Sequence, residues 1–150
     1  MQAFFESRLP AEASFRWKFQ FQDKLFRFPN LWYACPMSDC IFCKIINGEI
    51  PSKKVYEDDE LLAFHDVNPQ APVHFLVIPK KHIRNIMELG AADTALLGRL
   101  LFKAQELAAV LGCAERGARF VINCKSDGGQ TVDHLHCHVL GGRFMNWPPG

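Results

Sequence analysis

The chain has 150 residues, of which 49% are hydrophobic and 22% are charged. This length suits one domain that buries roughly 70% of the surface its unfolded form exposes. The apolar content excludes intrinsic disorder for most of the chain. Seventeen basic residues against sixteen acidic ones leave a formal net charge of +1, so no overall field would recruit nucleic acid or an anionic membrane. No apolar run approaches the roughly 18 residues of a membrane span, and we expect a soluble protein.

Residues 1 to 36 differ in composition from the rest of the chain. Seven of the thirteen phenylalanines fall there, yet the segment has neither the period of a strand nor that of a helix. Charges interrupt every apolar run, which argues against a secretory signal. The net basic charge of the segment suits an organelle signal, whereas its three acidic residues and only two serines disfavour one. We interpret residues 1 to 36 as a poorly ordered upstream extension, such as a misplaced start codon would create, and residues 38 to 150 as the folded domain.

The next segment is patterned as one short helix and several strands. Ile41 to Asn47, closed by Gly48, predicts the helix. Runs rich in β-branched and aromatic residues, each bounded by turn residues, predict strands. These runs are Lys54 to Glu57, Leu61 to Val67, Val73 to Ile78 and Arg119 to Asn123.

A long amphipathic helix is predicted between the third and fourth strands. Leucine and alanine recur at helical spacing from Leu96 to Leu111, and Gly112 is placed as the C-cap. The order of short helix, strands, long helix and strands favours an α+β fold. We expect a two-layer sandwich of a mostly antiparallel sheet of about five strands with one long helix and one or two short ones.

Three histidines alternate with apolar residues in His134-Leu-His-Cys-His-Val-Leu140. On a strand, this spacing places His134, His136 and His138 on one face and the intervening residues in the core. Neighbouring rings would lie roughly 6.7 Å apart, close enough to act on one ligand.

Two kinds of chemistry fit such a row. The histidines could bind zinc and leave an open position for an activated water. Alternatively, a neutral imidazole could attack phosphorus while a second histidine handles the proton of the leaving group. The preceding loop, Ser126-Asp-Gly-Gly-Gln-Thr131, favours the second interpretation, because its glycines let main-chain N–H groups approach a phosphate.

The chain resembles the histidine triad (HIT) superfamily, and within it the Hint branch of nucleoside phosphoramidases. The histidine row matches the signature of three histidines alternating with apolar residues that gives the superfamily its name. Further matches extend over residues 38 to 150, and residues 1 to 36 match nothing in the family. These matches are Cys40 to Ile46, Ala63 to Asp66, Pro69 to His82, Ser126 to Thr131, Gly141 to Arg143 and Trp147 to Gly150.

The resemblance implies hydrolysis of the P–N bond of adenosine or other purine 5′-phosphoramidates and related AMP conjugates through a nucleotidyl-histidine. The nucleophile would be His136, and His138 would contact the phosphate and the leaving group. Other residues are expected at the nucleotide. The phosphate contacts are Asn123, Gly129, Gln130 and Thr131, the ribose and base contacts are Asp66 and Val67, and the supporting residues are His74 and Trp147.

The resemblance also implies a homodimer, and it offers a structural zinc ion as the alternative to plain free thiols. Some prokaryotic HIT proteins hold zinc on residues that correspond to Cys40, Cys43, His82 and His134, and no cofactor is required for the reaction itself. The two sheets of the dimer would join into one continuous sheet, with Trp147 reaching toward the partner's site.

The six cysteines are irregularly spaced and follow no secretory signal, so we expect a reducing, cytoplasmic location. Cys137 is interpreted as a core residue. Two alternatives to the phosphoramidase remain open at this stage. One is a zinc-dependent hydrolase that uses the histidine row as ligands, and the other is a nucleotide-binding or scaffolding module with vestigial catalysis.

Overall fold

The computed structural model of the protein describes residues 39–149, so the predicted extension of residues 1 to 36 lies outside the described residues. Two short 3₁₀ helices, Ile86–Glu88 and Ala91–Asp93, precede the long helix. The main elements, in chain order, are α1 (Ile41–Ile46), β1 (Lys54–Glu57), β2 (Leu61–His65), β3 (Val73–Pro79), α2 (Thr94–Ala108), β4 (Ala118–Val121) and β5 (Cys137–Gly141).

The five strands form one antiparallel sheet in the order β1-β2-β3-β5-β4. The predicted α+β class, five-stranded sheet and single long helix are therefore confirmed. In the register of the sheet, His138 of β5 lies between Leu76 of β3 and Val121 of β4. The end of the histidine row therefore lies on an inner strand, β5. The loop before the row connects β5 to the edge strand β4.

Both faces of the central strands are buried, but against different elements. Alternate residues such as Phe75 and Val139 pack with α2, whereas Leu76 and Ile78 pack with α1 on the opposite face. This explains why β2 and β3 read as continuous apolar runs rather than alternating ones. Because α1 has only six residues, it covers only part of its face, and the histidines occupy the remainder.

The long helix follows the predicted stripe, but its α-helical part ends at Ala108, four residues before the predicted glycine. Leu100, Ala104 and Leu107 are buried against the sheet. After Ala108 the chain widens into a π-helical turn over Ala109–Cys113, within which Gly112 has a φ of 88°. This left-handed conformation favours glycine and stops the helix.

Several strand boundaries differ from the sequence prediction. β3 extends one residue further, to Pro79, and β4 covers Ala118–Val121 instead of Arg119 to Asn123. β2 ends at His65 instead of Val67 because the side chain of Asp66 accepts a hydrogen bond from the main-chain N–H of Asn68 at 2.8 Å, which turns the chain. β5 begins at Cys137, so His134 and His136 precede the strand.

The His134–Leu135 segment makes its hydrogen bonds outside the sheet. The N–H of His134 donates to Val132 O and that of Leu135 to Ile83 O. The prediction of a strand over the whole row is therefore wrong at its first three residues. No helix in the described range is long and apolar enough to cross a membrane.

A buried glycine on β5 provides a test of this packing. A Cβ atom added at Gly141 would overlap the sulfur of Cys113 at the end of the long helix, so Gly141→Ala should lower the free energy of unfolding by about 1–3 kcal/mol in urea titrations. The loss should shrink in a Cys113→Ala background, where the obstructing sulfur is gone. Gly98→Ala is the matched control, because its Cβ would meet nothing within 4 Å. An equal loss in both backgrounds would contradict the packing.

Candidate active site

His74 and His138 form a hydrogen-bonded pair on the sheet face that α1 leaves open. Nε2 of His74 lies 3.0 Å from Nδ1 of His138, and the His74 side chain is buried. On the other side of the His74 ring, Nδ1 accepts a hydrogen bond from the main-chain N–H of Gln70 at 3.1 Å. The two imidazoles and the Gln70 amide therefore make one continuous chain of hydrogen bonds.

The donor and acceptor of each of these hydrogen bonds follow from the main-chain N–H of Gln70. An amide N–H can only donate, so Nδ1 of neutral His74 carries no proton and Nε2–H donates to His138. Nδ1 of His138 is then the acceptor, and its own proton lies on Nε2. Burial lowers the pKa of His74. Burial also lowers the pKa of His138 to about 4, and the charges that His136 and His74 would carry act in the same direction, which favours neutral rings near pH 7.

His136 is held in the opposite tautomer. Its Nδ1 lies 2.6 Å from the main-chain oxygen of His134, which can only accept, so the proton is on Nδ1 and the lone pair on Nε2. The ring of Phe42 from α1 meets the His136 ring edge-on with centroids 5.4 Å apart. Burial is the largest influence on His136 and lowers its pKa. An imidazole fixed in this way presents Nε2 as a nucleophile.

The predicted ribose residue lies beside the paired histidines. Oδ2 of Asp66 is 3.4 Å from Nε2 of His74 and 3.7 Å from Nδ1 of His138. Val67, the next residue, is fully exposed. The turn that ends β2 thus brings Asp66 to the histidines, as the site prediction requires, and leaves Val67 at the surface next to them.

The glycine loop between β4 and β5 is tightly wound. A Cβ atom at Gly128 would lie 2.5 Å from the main-chain oxygen of Cys124, and Gly129 has a φ of 70°. The side chain of Gln130 fastens this loop. Its oxygen accepts from Lys125 N at 3.0 Å, and its nitrogen donates to Arg84 O at 2.6 Å. A contact between Gln130 and a phosphate remains a prediction. In this structure the side-chain amide of Gln130 makes hydrogen bonds that hold the loop.

A cleft of about 510 Å³ opens next to His138. His74 and Asn123 belong to its lining, as do two arginines that the sequence prediction omitted, Arg119 and Arg143. The strand period could have identified the first of these, because Val121 is the register partner of His138 and residues two apart on a strand share a face. Thr131 is exposed, and so is Trp147 at 85%.

The four predicted metal ligands come together behind the histidine row. Cys40, Cys43, His82 and His134 present ligand atoms that all lie within 4.8 Å of one another. Sulfur-to-nitrogen separations are 3.5 Å, 3.2 Å and 3.7 Å, and the two Nδ1 atoms are 3.2 Å apart. Tetrahedral zinc with ordinary Zn–S and Zn–N bonds places its ligand atoms about 3.3–3.8 Å apart.

The orientation of His134 also suits metal binding. Its Nε2 lies 2.8 Å from the main-chain oxygen of Pro79, so the proton is on Nε2 and the lone pair of Nδ1 faces the cluster. This outer hydrogen bond is the arrangement that metal-binding histidines usually have. Burial lowers the pKa of His134 to about 4, which favours the neutral form that a metal requires. The donor set fits zinc.

A second group of donor atoms, on Asp66, His74 and His138, is less suited to a metal. Binding there would require a lone pair on Nε2 of His74, whereas the Gln70 amide directs the proton to that atom. Its separations of 3.0 Å to 3.7 Å are explained by hydrogen bonding. Neither group contains His136, so among the described residues the histidine row does not form a common ligand set.

The thiol between the key histidines is a core residue, as the sequence analysis predicts. Cys137 is fully buried and packs on the α2 side of the sheet. Burial raises the pKa of this thiol to about 11, so it remains protonated at neutral pH.

The features to be compared with known proteins are an antiparallel sheet, a cleft lined by the paired histidines, a neighbouring His136 held in one tautomer and a tightly wound glycine loop before β5. His136 and the glycine loop are not among the described residues that line the cleft. The HIT domain profile matches residues 47–145, and the chain belongs to the HIT family. An uncharacterized HIT-like protein of Synechocystis is 58% identical over 112 residues, which are 75% of this chain and 97% of that protein.

Solved structures agree with this assignment. A HIT family hydrolase from Legionella pneumophila is 53% identical and superposes with a TM-score of 0.74 over 75% of this chain and all of that one. A histidine triad protein from Clostridium difficile is 48% identical, with a TM-score of 0.69 over 73% of this chain and 96% of the other. These neighbours support a hydrolase.

The hydrogen-bond chain makes a spectroscopic prediction. In the wild-type protein near pH 7, His138 should carry its proton on Nε2, which long-range ¹H–¹⁵N correlation spectra of the imidazoles measure. His74→Phe keeps a ring but removes the donor, so His138 should become a mixture of tautomers. His136 serves as the internal control and should keep its proton on Nδ1. A wild-type His138 with its proton on Nδ1 would show that His138 donates the hydrogen bond to His74, which would contradict the assigned direction.

Proposed function

We propose that the protein is a nucleotide phosphoramidase, which hydrolyses the P–N bond of adenosine and other purine 5′-phosphoramidates and related AMP conjugates. The observation that carries the proposal is the hydrogen bond from Nδ1 of His136 to the main-chain oxygen of His134. It leaves the Nε2 lone pair of His136 for attack on phosphorus. The neighbouring ring of His138, with centroids 4.9 Å apart, carries a proton on its Nε2.

The reaction would proceed in two displacements. In the first, Nε2 of His136 bonds to phosphorus while the bond from phosphorus to the leaving nitrogen breaks, and the amine departs with one proton taken from solvent through His138. In the second, water attacks phosphorus and releases one proton to solvent through His138, the bond to His136 breaks, and the nucleoside monophosphate leaves. The ring of His136 needs no change of tautomer between the steps, because its proton stays on Nδ1, where it is hydrogen-bonded to the main-chain oxygen of His134.

The remaining predicted contacts have separate tasks in this scheme. Asp66 would accept from the ribose hydroxyls, and Val67 would lie against the base. Main-chain N–H groups near Gly129, with Thr131 and Asn123, would stabilise charge on the phosphoryl oxygens. The geometry favours this scheme over a zinc-dependent hydrolase, because His134 faces the cysteines while His136 and His138 make hydrogen bonds elsewhere.

The proposal includes a structural zinc ion held by Cys40, Cys43, His82 and His134. Bound there, zinc would link α1, the segment after β3 and the segment before β5, and it would supply no chemistry to the reaction. It also includes a homodimer. In support, β4 is an edge strand whose Phe120 is 42% exposed, and Phe102 of α2 is 63% exposed. The cytoplasmic location remains a prediction.

The catalytic part is tested with His136→Ala. Turnover of adenosine 5′-phosphoramidate should fall at least about 10³-fold, because a nucleophile is lost, while adenosine monophosphate should still bind by calorimetry. Brief exposure of the wild type to substrate, followed by acid quenching and mass spectrometry, should place a nucleotide adduct on His136. His65→Ala, at the exposed end of β2, is the matched histidine control and should retain activity. Binding without turnover in the wild type would instead indicate a nucleotide-binding module.

The zinc part is tested by metal analysis and by substitution with cobalt. Purified protein should hold about one zinc ion per chain, and cobalt in its place should give the sulfur-to-cobalt absorption band of a thiolate site. Cys43→Ser should lose the metal and lower the thermal midpoint, because three chain segments lose their link. Cys113→Ser, a buried cysteine outside the cluster, should keep the metal. Less than about a tenth of a zinc ion per chain, with no uptake on addition, would contradict the site.

A further inference from the structure

Two arginines in the cleft have no acidic partner. Arg119 and Arg143 line it together with His138, and no carboxylate belongs to the described lining. Arg119 donates to the main-chain oxygen of Asn146, and Arg143 donates to those of Gln70 and Phe144. A guanidinium group has five N–H donors, so both retain donors for a ligand.

The concentration of positive charge extends beyond this pair. An adjoining cavity of about 420 Å³ is lined by both of these arginines and by Arg116, again without a carboxylate among its described residues. Within the described range, the arginines with an acidic partner are Arg84 and Arg99. The unpaired arginines are therefore gathered at one end of the cleft, whereas the paired ones lie elsewhere.

The register of the sheet gives the position of Arg119 relative to the reacting groups. Val121 pairs with His138, and Arg119 lies two residues before Val121 in β4 on the same face, a span of about 6.6 Å. Asp66, the expected ribose contact, follows β2 on the other side of β3. A nucleotide held at Asp66 with its phosphate at His138 would therefore direct its leaving group toward the arginines.

We propose that Arg119 and Arg143 select leaving groups that carry a negative charge. The substrate class would be nucleoside 5′-phosphoramidates whose amine bears a carboxylate or a phosphate-like group, such as an amino acid attached through its nitrogen. Planar guanidinium groups bind such anions through charge-assisted, often bidentate hydrogen bonds. This inference rests on the proposed phosphoramidase for its substrate, but the binding preference can be measured without any turnover.

The test measures binding to full-length protein carrying His136→Ala, so that no ligand is consumed. Calorimetry compares the adenosine 5′-phosphoramidates of glycine, glycinamide and aminomethylphosphonate. The two anionic conjugates should each bind about tenfold more tightly than the neutral glycinamide conjugate. Adding Arg119→Gln or Arg143→Gln should reduce this preference to less than about threefold, whereas Arg99→Gln, whose arginine is paired with Glu60 on the surface, should leave it unchanged.

The outcomes separate this inference from the proposed function. Equal affinity for the neutral and anionic conjugates in the parent protein would overturn the arginine selection, and this comparison does not depend on any arginine variant folding. A preference that survives both arginine substitutions would overturn it as well. A preference that they abolish, in a protein whose wild type turns over none of the conjugates, would support the arginine site and refute the phosphoramidase.

Discussion

The geometry of the site depends on His134, a residue that takes no direct part in the proposed reaction. Its Nδ1 faces the two cysteines and His82, its Nε2 donates a hydrogen bond to Pro79 O, and its main-chain oxygen accepts a hydrogen bond from Nδ1 of His136. A backbone oxygen can fix a tautomer only if the peptide that carries it cannot rotate. The side-chain interactions of His134 supply that restraint, so the orientation of the nucleophile depends on a cluster outside the cleft.

The two faces of the sheet differ in what covers them: one forms the core with the long helix, and the other holds the histidines. One face is closed by α2, whose buried residues pack against Phe75 and Val139. The opposite face is shared between α1 and the histidine cleft, and α1 is short enough to leave His74 and His138 beside open space. Because neighbouring residues of β5 belong to opposite faces, Cys137 can be a buried core thiol directly beside His138, which lines the cleft.

The sequence was informative wherever a feature is periodic or local. Strand alternation and the helical stripe predicted the fold class, and among the predicted site residues His74, Asn123 and His138 line the cleft. It failed where long-range hydrogen bonds override a local pattern. The alternation from His134 onward reads as a strand, but the peptides at His134 and Leu135 bond to Val132 and Ile83 instead. The sequence also could not predict which ring donates the hydrogen bond between His74 and His138, since this depends on the main-chain N–H of Gln70.

Net charge was the least informative property, because it sums the charges of all residues and does not show where in the fold they lie. A value of +1 excludes a general attraction for polyanions, yet it does not say where opposite charges cancel. Here Arg84 and Arg99 have acidic partners, while Arg119 and Arg143 face a cleft without one. A small anion near that cleft experiences mainly these two guanidinium groups, because salt screens surface charges beyond roughly 8–10 Å. A nearly neutral protein can therefore concentrate positive charge at one cleft, and that concentration is visible only after the strands are in register.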